Sequence, residues 1–326
     1  MNVLLTGGAG YIGSHTAIKF IENNCNVTIV DNLTFGNKRL IPENADFLFS
    51  DIADEKKISQ LLAQKKFDVV IHFAAYTKVG ESVQQPEKYY ENNYNKSKIF
   101  FELCLKNNIT NIIFSSTGSV YGNVNEANIL ETQKTIPINP YSESKLKVEK
   151  YLQELDSKKL INAYIFRYFN VAGADFKLRS GLISNPDNLI KAICEVVEGK
   201  RNELTINGNN FKTKDGTTIR DYIHVSDLAE MHFIATKNLL QNNTKQLEVF
   251  NCGYGQGFSI LDVINEMQSI IGKKINFRFG PPRKGDAETS VANTDKFKNK
   301  FDWHPKYNDL KLILKSALDW EKYYKK

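Results

Sequence analysis

A short apolar run, Asn2 to Thr6, breaks into GGAGYIG and then into a helical pattern, and no other stretch of this 326-residue chain constrains its fold so tightly. Ile12, Ala17, Phe20 and Ile21 recur at helical spacing, so a strand turns abruptly into a helix. Gly8, Gly10 and Gly13 satisfy G-x-G-x-x-G, and Gly7, Gly10 and Gly13 satisfy G-x-x-G-x-x-G. Such a turn lets backbone amides reach a pyrophosphate at the positive end of the helix. Alone the fingerprint is weak; with a strand before it and a helix after it, an ordinary turn explains less.

The alternation continues. A second strand, Asn26 to Val30, ends on Asp31, which lies 18 residues beyond Gly13. A carboxylate there can bond a ribose diol and repels a 2′-phosphate, which favours NAD over NADP even with Lys38 and Arg39 close by. Strands at Asp46 to Ser50 and Asp68 to His72 lead into Asp51-Ile52 and Phe73-Ala74-Ala75. A helix runs from Asn92 to Lys106, a strand covers Asn111 to Ser115, and another spans Asn162 to Tyr168. This pattern predicts an α/β fold: a doubly wound parallel (Rossmann) sheet with ligands at the carboxyl ends of its strands, so Asp51, Phe73 and Ala74 face the cofactor. Regularity fades after Gly173, which predicts a cofactor-binding domain over residues 1–172 and a smaller mixed α/β substrate domain over 173–326, with parts of 220–255 packing back on the sheet.

Composition narrows the classes of partner. A net charge of +6, with lysines spread along the chain and concentrated mainly in the last residues, Lys322, Lys325 and Lys326, describes a solvated surface and argues against a nucleic-acid stripe. Cys25, Cys104, Cys194 and Cys252 lack metal-type spacing, so we expect no metal and a reducing compartment, the cytoplasm. No apolar run is long enough to span a membrane, and the opening strand leaves no room for a signal peptide.

Chemistry concentrates in NPYSESKLKVEKYLQEL, from Asn139 to Leu155. Pro140 can open a helix, and Tyr141, Lys145, Val148, Leu152 and Leu155 then share one face. An ammonium one turn from a phenol favours the phenolate, which would make Tyr141 a general base. The plainer alternative is a packed tyrosine beside a snorkelling lysine. Thr117, at the end of the strand before this helix, can hold the oxygen on which Tyr141 acts. Further on, KDGTTIRDYIHV and GPPRKGD place Arg220 and Arg283 in loops, where guanidinium forks suit an anionic ligand.

Taken together, TGGAGYIGSH, Thr117, Tyr141-Ser-Glu-Ser-Lys145, RYFNVAGA and RDYIHVSDLA resemble the extended short-chain dehydrogenase/reductases, in particular the branch that epimerises UDP-hexoses at carbon 4. The resemblance implies NAD held by Gly7, Gly10, Tyr11, Ile12, Gly13, Asp31, Asn32, Asp51, Ile52, Phe73, Ala74, Ala75, Asn92, Lys145 and Phe169. It implies that Tyr141, with Thr117 and Lys145, takes the proton of the sugar 4-hydroxyl while hydride leaves carbon 4, and that the keto sugar turns before hydride returns. It implies a UDP-sugar site at Asn170, Asn188, Leu189, Arg220, Tyr222, Arg283 and Asp286, and a homodimer packed through the helices containing Phe100 to Leu105 and Lys147 to Leu155.

Three departures from that pattern matter. Thr117 replaces the usual serine and keeps its hydroxyl. The lysine usual after Phe73-Ala74 is shifted, with Thr77 at its position and Lys78 beside it. Ser290 aligns with a bulky tyrosine of members limited to glucose and galactose, so room for an N-acetyl group, and use of UDP-N-acetylglucosamine and its galacto epimer, is expected. Competing readings are a nucleotide-sugar dehydratase, disfavoured because Gly118 and Ser119 follow Thr117 where an acidic pair belongs, a decarboxylase or reductase, and a non-catalytic NAD sensor.

Overall fold

The computed structural model describes residues 1–124, 126–183, 188–241, 246–283 and 286–324. Lys284 and Gly285 of the GPPRKGD stretch, and Lys325 and Lys326, lie outside them. The first elements are β1 (Asn2–Thr6), α1 (Tyr11–Glu22), β2 (Asn26–Asp31), β3 (Ala45–Phe49), α2 (Glu55–Gln64), β4 (Val69–His72), α3 (Val79–Gln84), α4 (Pro86–Tyr89) and α5 (Lys96–Lys106). Next come β5 (Asn111–Thr117), β6 (Glu126–Ile129), α6 (Pro140–Ser157), β7 (Asn162–Tyr168), β8 (Asn170–Ala172), α7 (Leu189–Val197), β9 (Leu204–Asn207), β10 (Ile219–His224) and α8 (Val225–Gln241). The last are β11 (Leu247–Cys252), β12 (Gly257–Ser259), α9 (Ile260–Ile271), β13 (Phe277–Gly280), β14 (Thr289–Ala292), α10 (Asp295–Phe301) and α11 (Leu310–Tyr324).

Among the described residues, seven strands form the main sheet in the order β11-β7-β5-β4-β1-β2-β3. The pairs β3–β2, β2–β1, β1–β4 and β4–β5 are parallel, as the alternation of strand and helix predicts. A second sheet runs β12-β10-β14-β6 with β8 beside β10, and β13 pairs with β9. Two compact units result: Met1–Val120, Pro137–Arg167 and Ala229–Phe250 in one, Tyr121–Ile136, Tyr168–Leu228 and Asn251–Lys326 in the other. Compared with a single cut at residue 172, the first unit gives up Tyr121–Ile136, which carries β6 of the second sheet, and gains Ala229–Phe250, which carries most of β11.

In the first unit, Leu4, Val30, Val70, Ile112, Phe114 and Ile165 of the sheet bury themselves against Phe100, Phe101 and Leu103 of α5 and Val148, Leu152 and Leu155 of α6. Each such side chain contributes about 1.5–3 kcal/mol. That sum lets α6 carry a buried lysine, whose discharge costs about 5 kcal/mol at most. Asn139 caps α6 by accepting from the Ser142 amide at 2.9 Å, and Pro140 occupies the first turn. The helix expected from Asn92 begins earlier: Tyr90–Asn95 is π-helical and runs straight into α5.

Candidate active site

The glycine turn is built as its spacing requires. Gly7 sits at φ 71°, its amide donates to Val30 O at 2.8 Å, and a Cβ on it would lie 2.7 Å from Ala74 N. A Cβ on Gly13 would lie 2.4 Å from Gly7 O, so helix and turn touch only because Gly13 is bare. Helix α1 starts at Gly10 with no side-chain cap and no acidic residue in its first turn. Its positive end, flanked by Tyr11 and Ile12, is therefore open to phosphate oxygens.

Asp31 ends β2 beside this turn and accepts from the amides of Ala9 at 3.0 Å and Leu33 at 2.8 Å. Burial raises its pKa, and those two amides oppose the rise. A Cβ at Gly36 would lie 2.6 Å from its carboxylate, so the approach to Asp31 is also kept bare. Lys38 and Arg39 are exposed. At the end of β3, Asp51 accepts from Asn32 at 3.2 Å and Lys96 at 2.7 Å. Burial works to raise its pKa, but the bonds from Lys96, the Ala53 amide and Asn32 outweigh it and hold the carboxyl low. Ile52 is buried beside it. The backbone after β4 folds against Thr6, with Phe73 N donating to Thr6 O at 3.0 Å and Ala74 N to Thr6 Oγ1 at 3.4 Å. Ala75 follows half-buried, and Asn92 lies in the π-helical turn, where it donates to Asn93 at 3.0 Å. A bare turn, an uncapped helix and a carboxylate at the end of β2 fit a dinucleotide with an unphosphorylated ribose.

Thr117 is the last residue of β5; its hydroxyl donates to Ser119 Oγ at 3.2 Å and accepts from the Ser119 amide at 3.1 Å, and it stands near enough to the Tyr141 phenol to favour the charged form. Burial raises the Tyr141 pKa, and Thr117 pulls it back. The ammonium of Lys145 lies over the Phe114 ring, 4.5 Å from its centroid, and is almost fully buried. Burial lowers the Lys145 pKa to about 7, against which Glu149 pulls it up. Where a lysine charge was expected to leave the phenol lowered, burial dominates both groups: the phenol is raised and the ammonium is lowered. His72 beneath them is fully buried, bonded to Thr6 at 2.6 Å and Ser97 at 2.8 Å; burial and Lys145 push its pKa down to about 3, so it is neutral.

In the second unit, β10 and β14 pair with Arg220 in register with Ser290, and β10 and β8 pair with Tyr222 in register with Asn170. Arg220 lies 3.8 Å from Asp286 and feels Tyr222 and Arg283; burial lowers its pKa and Asp286 opposes this. Tyr222 is pushed up to about 12 by burial, and Arg220 opposes the rise. Arg283 reaches the side-chain oxygen of Asn207 at 3.0 Å once that amide is turned to receive it. Asn188 caps α7, which Leu189 begins, through a 3.0 Å bond from the Lys191 amide. Phe169 is buried, its amide donating to Cys252 O at 3.0 Å. Thr77 is exposed, and the Lys78 ammonium lies over Phe35, 5.2 Å from its centroid.

Two supporting residues escaped sequence reasoning. Asn93, fully buried, accepts from Tyr76 N at 2.7 Å and donates to Tyr76 O and Ser144 Oγ, each at 3.0 Å. It ties the loop after β4 to the helix of Tyr141. Asn207 steadies Arg283. A polar residue inside an otherwise helical stretch was the only signal for Asn93, and Asn207 had none.

Comparison with known proteins gives one consistent answer. Residues 3–253 match the model of the NAD dependent epimerase/dehydratase family. A UDP-glucose 4-epimerase of Lacticaseibacillus casei is 38% identical over 321 residues, which cover 98% of this chain and 96% of that protein. The crystal structure of a UDP-glucose 4-epimerase from Stenotrophomonas maltophila, with bound NAD and formylated UDP-arabinopyranose, matches with a TM-score of 0.95 at 32% identity, covering 100% and 99% of the two chains. The UDP-Glc/GlcNAc 4-epimerase of Campylobacter jejuni is 40% identical, with a TM-score of 0.85 and 99% of both chains covered.

Proposed function

This chain belongs to the NAD dependent epimerase/dehydratase family, and from that premise we propose that it inverts carbon 4 of UDP-hexoses, interconverting UDP-glucose and UDP-galactose with NAD as resident cofactor. The observation that carries the reading is the buried Tyr141 phenol beside the Thr117 hydroxyl at the end of β5, with Lys145 one helical turn away on α6. When bound, NAD supplies the acceptor and donor of hydride. The chain supplies grip and proton handling. Tyr141 accepts the 4-hydroxyl proton and returns it, Thr117 holds the same oxygen, and Lys145 is the residue placed to supply the positive charge that offsets burial of the phenol.

The keto sugar has to turn between the two half-reactions, so binding energy belongs on the nucleotide rather than the hexose. Arg220 and Arg283 are the diphosphate clamps in this reading, with Asn170, Asn188, Leu189, Tyr222 and Asp286 around the sugar nucleotide. Gly7, Gly10, Tyr11, Ile12, Gly13, Asp31, Asn32, Asp51, Ile52, Phe73, Ala74, Ala75, Asn92, Lys145 and Phe169 hold NAD. The first unit is the cofactor-binding body, and the second binds the nucleotide sugar.

Ser290, small and in register with Arg220, supports use of UDP-N-acetylglucosamine and its galacto epimer. So does the 40% identity to an enzyme described as acting on both UDP-Glc and UDP-GlcNAc. The test is to incubate the purified protein, with no nicotinamide added, with each UDP-hexose and UDP-N-acetylhexosamine and separate the epimers. Both pairs should approach equilibrium; no turnover of any UDP-sugar would refute the reading.

The protein works as a homodimer in the cytoplasm in this account. On α5, Phe100, Phe101, Leu103 and Cys104 are buried within the protomer, which leaves Ile99 and Leu105 partly exposed for a partner helix. All four cysteines are buried thiols, which supports a reducing compartment. Among the described residues no helix is long and apolar enough to cross a membrane.

A further inference from the structure

Glu149 is fully buried one helical turn beyond Lys145 on α6. Its Oε1 accepts from Ser116 Oγ and from Arg167 Nε at 3.1 Å, and its Oε2 accepts from Arg167 Nη2 at 2.6 Å. Ser116 immediately precedes Thr117 on β5, and Arg167 lies on β7. One carboxylate therefore fastens the helix bearing Tyr141 and Lys145 to the strand bearing Thr117 and to that strand's neighbour in the sheet. A buried ion pair with this bidentate geometry stabilises a fold no better than packed apolar side chains would, so its presence asks for another reason.

We propose that Glu149 is a positioning residue for the reaction: it fixes Thr117 against Tyr141 through Ser116, and its charge keeps Lys145 in the ammonium form. This rests on the epimerase reading above only for the reaction it serves. Tyr141 and Glu149 lie one turn either side of Lys145 on its own helix, His72 on β4 and the Phe114 ring on β5 are close to its ammonium, and Arg167 on β7 is bonded to Glu149. His72 is neutral, Arg167 is tied to the carboxylate, and Glu149 is what opposes discharge of the lysine. The ammonium is worth protecting because Tyr141 is itself held back by burial.

The sign is fixed. A lysine whose pKa falls loses its charge at lower pH, so removing the carboxylate moves the alkaline limb of the rate profile toward acid. Glu149→Gln keeps the shape and loses the charge; a charge one turn away sets a shift of about one pH unit. The carbon-13 signal of Lys145 Cε, followed by NMR in the NAD-loaded protein, should titrate lower by a similar amount. Ser116→Ala keeps the charge and loses the strand contact; kcat should fall about tenfold with the alkaline limb unmoved. If Glu149→Gln does not fold, Glu149→Gln with Arg167→Met removes the pair together and should still lower the Lys145 titration. An unchanged Lys145 titration in a folded variant lacking the carboxylate, or a limb displaced equally by Ser116→Ala, overturns the proposal. Should the wild type turn over no UDP-sugar, the epimerase reading fails, while the lysine titration still decides the role of Glu149.

Discussion

Replacing Gly7 by alanine tests the cofactor cradle more directly than any change to a catalytic group. Two separate costs arise. At φ 71° an L-residue is strained by about 1–2 kcal/mol. The added Cβ would also meet Ala74 N at 2.7 Å and Ala74 Cα at 2.9 Å, both backbone atoms that cannot swing aside. Gly7 cannot retreat without giving up its 2.8 Å bond to Val30 O, and that bond is worth about 1 kcal/mol. Gly272 isolates the first cost, because it has φ 68° and nothing within 4 Å of its would-be Cβ. Urea unfolding followed by circular dichroism should therefore show Gly272→Ala losing about 1 kcal/mol and Gly7→Ala about 2–4 kcal/mol. The Gly7 variant should also purify with little NAD, measured by absorbance after acid release, whereas Gly272→Ala should retain it. Equal losses in the two variants, or full NAD occupancy in Gly7→Ala, would refute the close-approach reasoning.

Tyr141→Phe should lower kcat by about 10²–10⁴ while bound NAD is retained, which separates an enzyme from a sensor. Ser290→Tyr should abolish turnover of acetylated UDP-sugars and spare UDP-glucose; unchanged use of both would remove Ser290 as the determinant. Asp221 is fully buried and accepts from the amides of Tyr254 and Gly255, each at 2.9 Å, and Ala292 at 3.3 Å, yet burial lifts its pKa to about 6. Its folded pKa exceeds the unfolded one, so its contribution to stability is present below about pH 4 and lost by about pH 6, a change of about 3 kcal/mol. Chemical denaturation of wild type and Asp221→Asn across that range should show the slope only in the wild type.

The first strand, its glycine turn and α1 were readable because each is specified by neighbours in sequence, as was α6, expected from Pro140 to Leu155 and ending at Ser157. Short strands were not. β6, β8, β12 and β14 have three or four residues each, too few for alternation to show, and they form because partners distant in sequence pair with them. The site divided in the same way. Tyr141, Lys145 and Thr117 carry recognisable chemistry, whereas Glu149 and Arg167 look like ordinary surface charges until folding buries them together. The direction of the pKa shifts was also hidden, since desolvation depends on atoms from every strand of the sheet.

Strand β11, outermost in the main sheet, leaves the ribosome some eighty residues after its neighbour β7. Until Phe250 emerges, β7 presents an unpaired edge, and most of the chain made in the interval, Tyr168–Leu228, belongs to the other unit. Such late closure slows folding and exposes the nascent protein to edge-on aggregation. A fragment ending at Leu228 therefore lacks a finished sheet and is a poor choice for expressing the cofactor-binding half by itself.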